Sequence, residues 1–474
     1  MLSRKYHSRD FLWLSIALMP LIGIALLLEI QPQDFWWLMR VGQETVQNGA
    51  VPIIDTISWS QAGRPIVYQP WLAGVILYLI YNVGGITCIF LLRGILIAIT
   101  YGMIWVMARD VSNARLATIL VFILGIASAN NWSVRSQLPA YPLFVFCLWS
   151  LLHWQNGNKK YLWVLPVVTL LWANLHGSFI LPFVLTGAAF FFGKGERKTL
   201  AFALGLMFLA TLINPQGISV WKYIVFMLNS PSDHWFAFEW APPSNVGWQM
   251  NIFFAWLLAF APLAAFSPRK LSMLEWVWFL GFGWLALSGL RYVIWFHILL
   301  AIFTAVFLSE WAKRLVQPTQ TFPTLNYGFG IFMLTIPLIF LPGLRERWMG
   351  DSVSVYEMST TPLSATEWLA QHPHACSNLW ADYAFGGYLS FALPSCKPWM
   401  DSRFNAYPPD QWSEYVQVSR AEDWQEMFDR EGINLLLLST AGQPKLVGAV
   451  SESNLWCEEY HDEYAVIFSR CEAK

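Results

Sequence analysis

The sequence predicts an α-helical polytopic membrane protein with a small α/β domain at its C-terminal end, and three observations carry that prediction. Of the 474 residues, 56% are hydrophobic, 17% aromatic and only 12% charged, against about a quarter charged in an ordinary soluble domain. Apolar stretches follow one another from Phe11 to Gly343 and then stop. The formal net charge of -1 conceals a polarity: residues 1–343 hold 20 basic and 11 acidic side chains, residues 344–474 hold 9 and 19. Such a chain is not disordered, not a basic nucleic-acid binder and not an ordinary cytosolic enzyme.

About eleven stretches read as spans: 11–30, 86–107, 116–130, 138–153, 161–174, 179–193, 199–213, 251–267, 272–289, 292–310 and 325–343. Crossing a hydrocarbon core takes about 20 helical residues. The shortest stretches are therefore either spans extended by their flanking aromatics or re-entrant pairs. Residues 11–30 are too long for a signal-peptide core and lack a small-residue cleavage site, so they are expected to be retained. Residues 71–83, closed by Gly84-Gly85, are too short to cross and read as an amphipathic or half-inserted helix.

Basic residues set the sidedness. Arg4, Lys5, Arg9, Arg109, Arg115, Lys159, Lys160, Lys194, Arg197, Lys198, Arg269, Lys270, Lys313 and Arg314 put 14 on one side; Arg40, Arg64, Arg135, Lys222 and Arg291 put five on the other, over longer loops. The N-terminus is thus expected in the cytoplasm and the tail outside a plasma or inner membrane. The expected domains are 1–343, a transmembrane helical domain with outer loops 31–85 and 214–250, and 344–474, an extracytoplasmic α/β domain.

In the tail, short apolar runs at 378–380, 398–400 and 434–438 read as strands, with helices near 383–393 and 422–431. Residues 455–460 and 464–469 read as a closing hairpin. Cys376, Cys396, Cys457 and Cys471 all fall here; in an oxidising compartment they allow two disulfides in three connectivities. Pairing 376–396 and 457–471 is favoured because Cys376 and Cys396 each begin a strand of a β-α-β unit; the alternative is four free thiols. Cys88 and Cys147 fall in spans, as small apolar side chains.

Most polar residues set in apolar sequence land at the outer face. Asp34 follows the first span directly. It is either an N-cap, with Trp36 and Trp37 as interfacial anchors, or a base or metal ligand. The same loop carries Arg40 and Asp55. Arg135, Asn174 with His176, Glu239-Trp240 and Arg291 come from later connections on that side. A lone turn histidine is commonly just hydrogen-bonded, and Arg135 and Arg291 can be plain interfacial residues. Convergence of acid, imidazole, amide and guanidinium groups on one rim favours a site. Arg93 lies deeper, with Glu29 as a structural partner. No P-loop, dinucleotide fingerprint, zincin motif or zinc-spaced Cys/His set occurs.

On Asp34-Phe-Trp-Trp37, Arg40-Val-Gly42, Pro52, Asp55, Ser58-Trp59, Gly63, Trp71-Leu72, Arg135, Trp172-Ala-Asn-Leu-His-Gly177, Asn214-Pro-Gln-Gly217 and Arg291, the sequence resembles a widespread group of bacterial multi-spanning proteins. Gly386-Gly-Tyr-Leu389, Asp401-Ser-Arg403 and Tyr407 extend the resemblance into the tail. That group is distantly similar to the GT-C glycosyltransferases, the class including protein mannosyltransferases and lipid A aminoarabinose transferases. The resemblance implies a cell-envelope hexosyl or pentosyl transferase using a polyprenyl-phosphate sugar donor. Asp34 would take the acceptor's proton or hold a divalent metal, and Arg135, His176 and Arg291 would stabilise the departing lipid phosphate. Arg40, Asp55 and Asn174 join them as expected substrate-binding residues. Pro32, Leu38 and Gln69 stand where the group often carries acids or histidine. They favour the second reading, a non-catalytic membrane protein whose outer domain binds glycan, lipid or a protein partner. A transporter ranks last, since only Arg93 is charged at depth.

Overall fold

The computed structural model describes residues 6–32, 34–314, 322–350, 354–373 and 376–471; Arg4 and Lys5 lie outside them. Helices form over all the apolar stretches within the described residues. They are α1 (Ser8–Leu27), α2 (Phe35–Asn48), α3 (Trp71–Val111), α4 (Ala114–Ser128), α5 (Ala140–Gln155), α6 (Leu165–Leu175), α7 (Leu181–Phe192), α8 (Arg197–Thr211), α9 (Ser219–Leu228), α10 (Pro231–Phe236), α11 (Trp248–Phe266), α12 (Met273–Ser288), α13 (Val293–Arg314) and α14 (Pro323–Thr335). With their flanking turns, six are long and apolar enough to cross a membrane: 8–27, 71–111, 114–131, 248–266, 290–312 and 323–340. Shorter apolar helices cover 160–175, 177–192 and 273–288.

Residues 71–83 form a helical segment of their own, closed where expected: the backbone leaves the helical region at Gly84 (φ -155, ψ 28) and Gly85 (φ 60, ψ -151), so α3 is two helices joined at a kink. Glycine reaches that backbone region without a Cβ clash.

Hydrogen bonds sort the connections onto two ends. At one end Arg109 pairs with Asp10 at 2.6 Å, Asn113 donates to the Ala312 carbonyl, Gln155 to Ser272 and Lys159 to Glu196. At the other, Ser133 donates to Gln31, Gln69 to the Ala173 carbonyl, Trp71 to Asn174 and Leu290 N–H to the Ala241 carbonyl. The basic connections thus share the first end.

Arg93 is buried but does not use the Glu29 carboxylate. It donates to the backbone carbonyls of Leu28 and Glu29, while Arg345 donates to those of Leu27 and Ser354. The last carbonyls of a helix have no intrahelical partner, and here two guanidinium groups serve them.

The C-terminal segment continues with α15 (Pro342–Met349), α16 (Leu363–Gln371), β1 (Leu379–Ala381), α17 (Tyr383–Ala392), α18 (Pro409–Ser419), α19 (Trp424–Arg430), β2 (Leu435–Ser439), α20 (Pro444–Ser451), β3 (Trp456–His461) and β4 (Ala465–Arg470). The sheet order is β1-β2-β4-β3, with β1 and β2 parallel and the others antiparallel. The run 398–400 makes only an isolated bridge from Pro398 to Leu379. Proline offers no ladder N–H, and the far side is taken by the first loop, where Trp59 N–H donates to the Pro398 carbonyl.

Cys376 is joined to Cys396 and Cys457 to Cys471, closing separations of 20 and 14 residues. Loops of that size stabilise by about 3 kcal/mol each. Reduction is expected to shift the chain's mobility in non-reducing electrophoresis and to lower the domain's unfolding temperature; unchanged mobility would mean free thiols.

α17 lies across α2. Trp36 is buried among Tyr356, Tyr388 and Phe391, with ring centroids 5.6, 4.8 and 5.5 Å away, so it is no interfacial anchor. On its other side α2 meets α3 at Gly42 and Gly74. A Cβ on Gly42 would lie 2.1 Å from the Gly74 carbonyl oxygen, so these backbones touch.

Candidate active site

Between the bundle end and the C-terminal segment lies a cleft of ≈ 300 Å³, its walls including Asp34, Trp37, Arg135, His176, Tyr223, Asp233, Glu239, Arg291, Tyr383 and Arg403. Four of the residues expected in a site, Asp34, Arg135, His176 and Arg291, meet here from four separate segments.

Asp34 occupies the N-cap position of α2, but its carboxylate caps nothing. It accepts from Trp37 Nε1–H at 3.3 Å. Burial pushes its pKa up, partly offset by the Arg135 charge. The side chain keeps some accessible surface although it lies deep, because that surface faces the cleft.

Arg135 donates to Glu239 at 2.7 Å, and Arg291 lies 3.6 Å from the other Glu239 oxygen and 4.2 Å above the Trp240 ring. Despite burial, the two cations hold Glu239 down to about 2. The Arg135 pKa is raised; burial opposes this, but Glu239 outweighs it. The triad carries a net positive charge.

His176 caps the turn Gly177–Ile180. Its Nδ1 accepts from Ser178 N–H at 3.0 Å and contacts Ser178 Oγ at 2.7 Å. Trp172 Nε1–H donates to that Oγ, so the hydroxyl proton points to Nδ1. The neutral ring then carries its own proton on Nε2, which has no hydrogen-bond partner among the described residues. Burial, with Arg291 and Arg135 nearby, lowers this imidazole to about 3. His176 is a neutral donor.

Arg40, Asp55 and Asn174 lie elsewhere. Arg40 pairs with Glu44 at 2.6 Å and with Gln43. Asn174 accepts from Trp71 and donates to the Ile213 and Leu170 carbonyls, tying three connections together. Asp55 belongs to a buried network. Arg403 reaches it at 3.1 Å, Asp401 at 2.7 Å and the Tyr68 hydroxyl at 2.7 Å, while Ser58 donates to Asp55 and Tyr407 to Asp401. Asp55, Arg403 and Asp401 are 3%, 4% and 0% exposed, so this network joins the first loop to the tail.

Sequence reasoning placed Glu239 on the same rim without a role and passed over Asp233. Glu239 differs from any surface acid only through Arg135 and Arg291, which lie 104 and 52 positions away. Asp233 is buried with Oδ2 unpartnered, and burial raises its pKa; its sequence context, Pro231-Ser-Asp-His234, reads simply as a helix start. No three Asp, Glu, His or Cys side chains among the described residues converge closely enough to hold a metal ion. The charges affecting Asp34 are those of Arg135, Arg291 and Glu239, so the residues do not fit a divalent-metal site.

No protein-family profile and no curated protein matches the sequence. Solved structures do match. The archaeal oligosaccharyltransferase AglB from Archaeoglobus fulgidus, in complex with an inhibitory peptide and a dolichol-phosphate, aligns with a TM-score of 0.59 at 10% identity, over 90% of this chain and 69% of that one. Arabinofuranosyltransferase AftD from Mycobacteria aligns at 0.59 and 15% identity, over 99% of this chain but 42% of that one. ArnT from Cupriavidus metallidurans in the apo state aligns at 0.50 and 14% identity, over 95% and 96%. These neighbours are GT-C glycosyltransferases. The chain is a multi-pass membrane protein, and its fold is that of a GT-C membrane glycosyltransferase.

Proposed function

We propose that the chain transfers a sugar from a polyprenyl-phosphate carrier to an acceptor at the extracytoplasmic face. The observation that carries this reading is the meeting of Asp34, Arg135, His176 and Arg291 in one cleft at the end of the bundle. On the same reading residues 1–343 are the embedded domain and 344–474 the external one. The basic connections face the cytoplasm, and eleven crossings place the termini on opposite sides.

The acceptor hydroxyl attacks the anomeric carbon, and its proton passes to the Asp34 carboxylate. The bond from that carbon to the phosphate oxygen breaks with inversion. The negative charge left on the lipid phosphate is met by the Arg135 and Arg291 guanidinium groups and by His176 Nε2–H. Fixed donors placed where charge develops accelerate such a step. No step needs a metal.

The test is transfer of labelled sugar from polyprenyl-phosphate donors by the full chain to a membrane fraction. Transfer that requires Asp34 supports the reading. A folded chain that binds donor without transferring it supports the non-catalytic role. The pH profile adds a second check. A base with a raised pKa is protonated, and idle, up to a higher pH, so transfer rises with pH through a value above the ordinary carboxylate range. His176, neutral above about 3, adds no limb near 6.5. Loss of transfer through an ordinary imidazole pKa would contradict its assigned state. A reporter fused at Lys474, which lies outside the described residues, is expected to report an extracytoplasmic C-terminus.

A further inference from the structure

A second cleft, ≈ 330 Å³, lies beside the first between residues 61–67, α9 and Asn405-Ala406. Tyr223, Asn405, Ile66 and Val67 line both spaces. The partition is therefore one layer of side chains, held by Asn405 Nδ2–H donating to the Tyr223 hydroxyl at 3.0 Å. Three charged residues line the second cleft: Asp55, Arg64 and Lys222. Asp55 is engaged by Arg403, which also serves Asp401, and by Ser58, so it is held within the buried network. Arg64 and Lys222 are exposed, and their side chains have no ion pair or hydrogen bond among the described residues. They are two of the five basic residues in the connections at this end of the bundle.

The rim is apolar. On and just before α9, Ile218, Val225, Phe226 and Leu228 are exposed, Val225 by 62%. The following segment exposes Trp235, Phe238 and Trp248 as well. A run of this kind ending in tryptophans belongs at the level of lipid headgroups, and cations beside it suit a headgroup phosphate.

We propose that the second cleft binds a phosphate-bearing membrane lipid, its headgroup between Arg64 and Lys222 and its chains along α9, as the acceptor side of the transfer. The acceptor role rests on the transferase reading; the lipid binding does not. The first cleft keeps the donor phosphate, and the acceptor hydroxyl reaches it across the Tyr223–Asn405 partition.

The experiment uses the full chain in phosphatidylcholine nanodiscs with labelled phosphatidic acid as probe. An Arg135→Gln background removes one of the two guanidinium groups of the first cleft and leaves Glu239 to offset the other. Retention of the probe is expected to persist there, to fall at least tenfold when Arg64→Glu and Lys222→Glu are added, and to fall severalfold with Phe226→Ser. All three added changes are at exposed positions, so folding is preserved. Undiminished retention after charge reversal overturns the proposal, as does displacement of the probe by an equal concentration of inorganic phosphate, which would mean that the lipid chains contribute nothing. In the transfer assay, charge reversal in the otherwise native chain is expected to raise the acceptor KM and to leave the donor KM unchanged. Transfer lost everywhere with probe retention still charge-dependent would remove the transferase reading alone.

Discussion

On the proposed transferase reading, replacing Asp34 with Asn is expected to lower sugar transfer by about 10²–10⁴-fold, the usual contribution of a positioned general base. The substitution is close to isosteric. Its remaining Oδ1 still accepts from Trp37 Nε1–H, so the cleft keeps its shape and the loss falls on kcat. Asp34 makes no side-chain cap bond at the start of α2, so Asn leaves helix stability unchanged. Retained donor binding with transfer reduced at least a hundredfold is the expected result. Equal transfer by a folded Asp34→Asn chain removes this residue from the chemistry, and the surrounding charges then describe a binding cleft.

Arg403→Ala is expected to weaken the junction of the first loop with the tail. Its guanidinium lies between Asp55 and Asp401 and also reaches Tyr68. Removing it leaves two buried carboxylates facing each other without a cation. Breaking one side of a buried ion pair typically costs about 3–5 kcal/mol. Limited proteolysis should then cut within residues 51–70, and thermal unfolding of the tail should shift downward. Arg403→Lys recovers only part, because an ammonium cannot present the planar fork that serves both carboxylates. A proteolysis pattern unchanged in Arg403→Ala would show that the remaining contacts, the Trp59 bonds to the Pro398 and Leu379 carbonyls among them, suffice to hold the two parts together.

The helices, the sheet and the region of the cleft were legible because each has a local signature. Apolar runs marked the helices, and β-rich runs between turn residues marked β1, β2 and the closing hairpin. Asp34 was conspicuous as an acid directly after an apolar helix. The helices α16, α18 and α20 escaped notice, since each starts at or beside a proline, Pro362, Pro409 and Pro444, which in sequence reads as a turn. The roles of the acids were not legible. Asp55 and Asp34 look alike in sequence, each near a tryptophan in one loop. What divides them is Arg403, 348 positions beyond Asp55, which occupies the first acid and leaves the second to the cleft. Glu239 was left without a role for the same reason: its meaning lies wholly in two arginines from other connections.

Glu239 also sets the terms on which any anion enters. Arg135 and Arg291 are never bare; they already hold a carboxylate. A phosphate arriving between them therefore meets one net positive charge and competes with Glu239 for the guanidinium donors, and its affinity falls short of the full attraction of two cations. That arrangement favours a ligand with more charge, or more oxygens, than a single carboxylate, and it discriminates against ordinary carboxylates. On the proposed transfer, the departing lipid phosphate leaves a cleft whose guanidinium groups Glu239 already partly offsets, so the product is not held by unopposed charge.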